Sequence, residues 1–296
     1  ALGIHMTYAP VVDVNINPDN PIINTRSAGE DPELVARLTG AFIQGCQSNG
    51  MIATAKHFPG HGDTDQDSHS QLPVIKADFD RLQKVELYPF QKAIEQGVEA
   101  IMTAHLYVPA LEPEPGLPAT LSPRILTDLL RNKMGFRGLI VTDALEMAGI
   151  TRYYSQEEAA LRALKAGVDL LLLPLDPIRV INYLKEAVEK GELPLERVNE
   201  SVRRLLAAKA RLGLNRQSLV SLDRLPLVLG QPEFKKIAWE TFESALTLVK
   251  NDNNLLPVQP EKKIVILSLS SDPGDFYAGR RLATALTSRY LSARTF

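Results

Sequence analysis

Ile52-Ala53-Thr54-Ala55-Lys56-His57-Phe58-Pro59-Gly60-His61-Gly62-Asp63-Thr64-Asp65-Gln66-Asp67-Ser68-His69 is the stretch on which the rest of the chain turns. Residues 52–55 are small, apolar or β-branched, the composition of a buried strand, so Lys56 and His57 close that strand at its C-terminal end. Pro59, Gly60 and Gly62 exclude a helix beyond it and make the remainder an ordered loop. That loop collects three histidines, three aspartates and a lysine. Holding so many ionisable groups together is costly unless they act on something, and chemistry is expected here.

Outward from this stretch, apolar runs alternate with amphipathic ones. Strands are expected at 6–14, 52–56, 100–106, 139–143 and 169–174. Helices are expected at 32–48, 78–96, 123–134, 156–166, 177–190 and 194–212. Each strand is a near-continuous hydrophobic run, the pattern of a parallel sheet covered by helices on both faces. Asp13, Lys56, His57, His105 and Asp143 all fall at strand C-termini, where α/β proteins gather their working groups. A (β/α)8 barrel would bring those ends to one rim; an open doubly wound sheet would spread them along a line.

Composition narrows the function. A chain of 296 residues can bury a large core. Its net charge of −2 leaves no basic footprint for nucleic acid. The single cysteine, Cys46, cannot form an internal disulfide. No apolar run approaches the roughly 20 residues of a membrane span. The first residues, Ala-Leu-Gly-Ile-His, carry no signal segment and read as the middle of a domain. Compartment and oligomeric state are not legible.

The motif KHFPGHGDT, continued by Asp67-Ser68-His69 and Leu72-Pro73, resembles the signature loop of family 3 glycoside hydrolases in their β-N-acetylglucosaminidase branch. Val11-Val12-Asp13-Val14-Asn15, Asn24-Thr25-Arg26, Val141-Thr142-Asp143-Ala144-Leu145 and Asn254-Leu255-Leu256-Pro257 extend the resemblance over most of the chain. It implies a TIM-type (β/α)8 barrel over residues 1–214, incomplete at its N-terminus because only five strands are legible. A linker at 215–232 and the start of an α/β sandwich domain at 233–296 follow. It further implies a retaining hydrolase that removes terminal β-linked N-acetylglucosamine, in this branch from peptidoglycan fragments, with a carbohydrate as its partner and neither metal nor organic cofactor.

Retention needs a nucleophile below the anomeric carbon and a proton donor beside the leaving oxygen, usually two carboxyl groups. Asp143 shares a strand face with Leu139 and Val141, so it can project inward at the rim. On the residues alone, a helix N-cap aspartate is the more ordinary reading; the resemblance makes Asp143 the nucleophile. No second carboxylate stands out. The resemblance assigns the acid to His69 with Asp67 as its partner, and an imidazole titrating near pH 6.5 suits that task. By the same resemblance Arg26, Lys56 and His57 bind sugar hydroxyls. His61 and Asp63 are expected to shape the loop. His105 fits either a pocket wall or a core histidine bonded to backbone, and Glu146 is assigned nothing. Three other readings stay open: a broad β-glucosidase of the same family, a metal-dependent hydrolase using the His/Asp loop, and an inactive carbohydrate-binding fragment. The His57/His61 spacing spans Pro-Gly rather than a helical turn, which disfavours zinc, and Asp63, Asp65 and Asp67 lack the glycine and distal glutamate of an EF-hand.

Overall fold

A computed structural model describes residues 2–65, 71–217, 219–259, 263–267, 279–289 and 294–295. The chain divides into two compact units, Ala1–Leu225 and Pro226–Phe296.

The first unit is a run of βα elements. β1 (Met6–Thr7), β2 (Ile52–Phe58), β3 (Ala100–Thr103), β4 (Leu139–Ala144) and β5 (Leu170–Leu172) form one sheet in sequential order, every pair parallel. A doubly wound sheet would reverse its strand order part-way. This one does not, so it is an arc of a TIM-type (β/α) barrel, and among the described residues β1 and β5 are not paired with each other.

The helices are set by local chemistry. α1 (Pro32–Ser48) starts where the Asp31 carboxylate accepts the Leu34 N–H at 2.7 Å, with Pro32 in the first turn. α5 (Gln156–Ala166) is capped by Ser155 and stopped by Gly167 at φ 118°. α6 (Pro177–Glu189) is capped by Asp176, and α7 (Leu195–Arg211) follows. The core packs between the strands and their helices, with Phe58 of β2 and Phe90 edge to face at 5.3 Å.

Several expected elements are shorter or divided. The strand expected at 6–14 is regular only at Met6–Thr7; the rest follows β2 through backbone bonds such as Val12 N–H to Lys56 O at 2.7 Å. The helix expected at 78–96 is two, α2 (Phe79–Lys84) and α3 (Leu87–Glu95). Pro89 is the reason: it cannot donate to a preceding turn, so the helix restarts to put it at the third position. The segment expected as an α-helix at 123–134 is wound as a π-helix, Arg124–Lys133. A short α4 (Ala148–Thr151) precedes α5.

In the second unit α8 (Pro232–Ala245) leaves Phe234, Ile237, Trp239 and Phe242 exposed. β6 (Val265–Ile266) pairs in parallel with β7 (Arg294–Thr295), and α9 (Arg280–Arg289) lies between them in sequence.

Candidate active site

The site is assembled at the C-terminal ends of β2 and β4 and the loop before α1. Asp13 is its fixed point. This carboxylate is 1% exposed and accepts the backbone N–H groups of His57 (3.1 and 3.2 Å to its two oxygens) and His61 (2.7 Å), and His57 Nδ1 at 2.7 Å. A carboxylate only accepts here, so Nδ1 of His57 carries the proton and Nε2 points away from Asp13. Burial pushes the Asp13 acid up, but the His57 and His61 contacts outweigh it and hold it below the usual carboxylate range.

His57 is placed by an irregularity in the sheet. Lys56 pairs with Met102 but Phe58 pairs with Thr103, so two residues of β2 oppose one of β3. Such a bulge re-aims a side chain. Nε2 of His57 thereby comes to 3.5 Å from Nη2 of Arg26, whose Nη1 donates to Ile22 O at 3.0 Å. Lys56 is half-buried beside them. Burial lowers the proton affinity of its amine and the Arg26 guanidinium lowers it further, while Asp143 and Asp13 act in the opposite sense. Lys56 is therefore within electrostatic reach of Arg26, Asp143 and Asp13.

Asp143 lies near the end of β4, half-exposed, with Oδ1 accepting the Ala144 N–H at 2.8 Å. Val141 pairs with Leu170 and Ala144 with Leu172, a second bulge that falls on Thr142 and Asp143. Burial lowers the His61 imidazole to about 4, against the pull of Asp13 and Asp143, so His61 is neutral near pH 7. Its Nδ1 pairs with Thr64 Oγ1 at 2.7 Å.

The loop between is anchored from both sides. Asn20, fully buried, donates Nδ2 to His61 O at 2.9 Å and accepts the N–H groups of Ile22 and Ile23. Arg81 donates to Asp63 at 2.8 Å and to buried Glu86 at 2.7 Å. Gly60 runs at φ 131°, and a Cβ there would lie 2.8 Å from that of Glu86; a Cβ on Gly62 would lie 1.7 Å from Val14 O. These glycines let the loop lie flat on its supports.

Lys56, His57, Arg26 and Asp143 are thus brought together. Asp67 and His69 lie outside the described residues. His61 and Asp63 are held as parts of the loop frame. His105 is 1% exposed, with Nδ1 against Thr120 Oγ1 at 2.8 Å and Nε2 donating to Ala144 O at 3.0 Å. Among the described residues no group of three or more His, Cys, Asp or Glu is arranged to hold a metal, and no helix is long and apolar enough to cross a membrane. Sequence reasoning assigned no role to Asp13 or Asn20. Asp13 carried a signal, an aspartate closing an apolar strand; Asn20, in a Pro-Asp-Asn turn, carried none.

Residues 1–208 match the family model described as the glycosyl hydrolase family 3 N terminal domain. The chain is 38% identical over 286 residues to β-hexosaminidase A of Pseudoalteromonas piscicida, covering 90% of this chain and 47% of that protein. It is 33% identical over 291 residues to a β-N-acetylglucosaminidase/β-glucosidase of Cellulomonas fimi, covering 95% and 52%. The fold superimposes with a TM-score of 0.90 on a family 3 β-N-acetylglucosaminidase from Paenibacillus sp. str. FPU-7, at 38% identity, over 99% of this chain and 57% of that one. The chain spans about half the length of these curated relatives.

Proposed function

The chain belongs to glycosyl hydrolase family 3, and from that premise we propose that it carries the catalytic site of a retaining β-N-acetylglucosaminidase acting on terminal β-linked N-acetylglucosamine, with peptidoglycan fragments as the substrate class. What supports this reading is that Asp143 at the end of β4 and Lys56 and His57 at the end of β2 lie at the same end of one parallel sheet, with Arg26 3.5 Å from His57. A sugar presents donors and acceptors without charge. Lys56 and Arg26 supply donors, and Nε2 of His57, its other nitrogen committed to Asp13, supplies an acceptor.

In the proposed reaction an Asp143 oxygen attacks the anomeric carbon from below the ring. His69, oriented by Asp67, gives its proton to the departing oxygen. Water then attacks the glycosyl-Asp143 ester, His69 takes the proton back, and the sugar leaves with its original configuration. Neither metal nor organic cofactor has a part. Residues 233–296, after a linker at 215–232, are read as belonging to a second, α/β domain.

The test is trapping. A 5-fluoro N-acetylglucosaminyl substrate slows breakdown of the covalent species, and peptide mapping should find one sugar mass on Asp143. Asp143→Asn should abolish label and turnover together; turnover of the fluorosugar with retention but without label would refute the nucleophile. A second reading, hydrolysis of β-glucosides as well, is favoured by the dual name of the Cellulomonas fimi relative. Nitrophenyl β-glucoside run beside the β-N-acetylglucosaminide separates the two.

A further inference from the structure

We propose that His105 is a positioning residue for Asp143, fixing the end of β4 through its bond to the Ala144 carbonyl. The inference rests on reading Asp143 as the nucleophile.

The argument begins with what the sheet fails to provide. β3 and β4 pair at Ala100 with Leu139, Ile101 with Ile140 and Met102 with Val141, and there the ladder ends. Asp143 stands two residues further on. On the β5 side the strand is bulged, held by Leu172 N–H to Thr142 Oγ1 at 2.9 Å and Leu145 N–H to Leu172 O at 2.9 Å. On the β3 side, Nε2 of His105 donates to Ala144 O at 3.0 Å, so a side chain from the β3 end takes over where the ladder stops.

His105 is itself fixed. Its Nδ1 meets Thr120 Oγ1 at 2.8 Å; that hydroxyl lies 2.9 Å from Ala104 O and 2.9 Å from Thr103 Oγ1. Thr103, Thr120 and His105 are all buried. Ala144 is therefore tied through one imidazole to the end of β3. With 1% of its surface exposed and Nε2 turned to a backbone carbonyl, His105 is placed to act through Asp143 rather than on the sugar. Displacing a reacting atom by about 1 Å can cost on the order of 10²-fold in rate.

The experiment compares His105→Leu, His105→Gln and Thr120→Val with wild type on aryl β-N-acetylglucosaminides spanning good and poor leaving groups, together with fluorosugar labelling and amide exchange at Leu145 and Leu172. A misplaced nucleophile slows attack whatever the leaving group. His105→Leu should lower kcat/KM by roughly 10²-fold with the same factor across the series, slow labelling equally, leave KM little changed and speed exchange at both amides. His105→Gln, whose amide can still donate to Ala144 O, should recover most of that loss, and Thr120→Val should lose part of it. If His105→Leu fails to fold, the other two variants decide: near-normal Gln with impaired Val upholds the proposal, and two unimpaired enzymes overturn it. Unchanged rates in His105→Leu, or a loss that grows with leaving-group basicity, also overturn it. A wild type that turns over without labelling Asp143 overturns both this and the nucleophile reading, and is told apart because it appears before any substitution is made.

Discussion

Asp13 gathers three N–H donors onto one buried carboxylate, and through them sets His57 and His61. His61 shows what that burial does to a proton. Its imidazole is lowered to about 4 from an ordinary 6.5. As pH falls below the ordinary value the unfolded chain binds the proton first. The stabilising effect of neutral His61 is therefore complete above about pH 6.5 and is lost progressively down to about pH 4, by about 3 kcal/mol at most. Urea midpoints across that window should fall for wild type and fall less for His61→Asn; equal slopes would show that His61 stays solvated. Lys56 gives a second prediction. Burial and Arg26 depress its proton affinity, while Asp143 supports it. Asp143→Asn should depress it further, so calorimetric binding of an N-acetylglucosamine-type ligand should weaken at a lower alkaline pH than in wild type. An unmoved alkaline limb would remove Lys56 from the binding site. The residue types were legible in the sequence; the cluster was not, because residues 44 apart, Asp13 and His57, meet only when β2 and the chain before it run side by side.

At the scale of elements, two bulges do what strand alternation alone does not. They fall on His57 in β2 and on Thr142–Asp143 in β4, the strand ends that face the site. Period-two reasoning put Asp143 on the inner face with Val141, yet the aim of its carboxylate belongs to the bulge. Helices were more legible, since Asp31, Ser155 and Asp176 announce their caps locally. The break at Val85 and Glu86 has a local cause too, Pro89, whereas the π-helical winding of Arg124–Lys133 has no sequence signal that we recognise. The opposite rim is held by Asp169, at the start of β5. It accepts from Arg131 at 2.6 Å, Arg204 at 2.9 Å and Ser201 at 2.6 Å, and tethers the Ile140 N–H at 3.0 Å. Asp169→Ala would leave buried Arg131 without its counter-charge, a loss of about 3–5 kcal/mol, and a fall in Tm on the order of 10 °C. A thermal melt within about 2 °C of wild type would show that water replaces the carboxylate there. Gly62→Ala should open the loop frame, since its new methyl group meets Val14 O; the expected readout is a loss of turnover with the barrel's melting temperature nearly kept.

For the whole molecule, the sequential parallel sheet decides between barrel arc and doubly wound sheet, and with it whether the strand ends can converge. The metal-dependent reading and the glycosidase reading part company in a single assay: turnover of the β-N-acetylglucosaminide should be unchanged by EDTA, and activity lost to chelator and restored by zinc would sink the mechanism proposed here. The sequence by itself determined the α/β class, most helix starts and the non-helical, histidine- and aspartate-rich loop after β2, because each depends on short-range chemistry: apolar periodicity, capping side chains, and prolines and glycines that forbid a helix. Only the tertiary structure decided that Asp13 ties His57 and His61 together, that His105 is buried and donates to the Ala144 carbonyl, and where the strands stop and bulge. Those outcomes depend on groups far apart in the chain competing for the same hydrogen bonds, and that competition is settled only when the strands lie side by side.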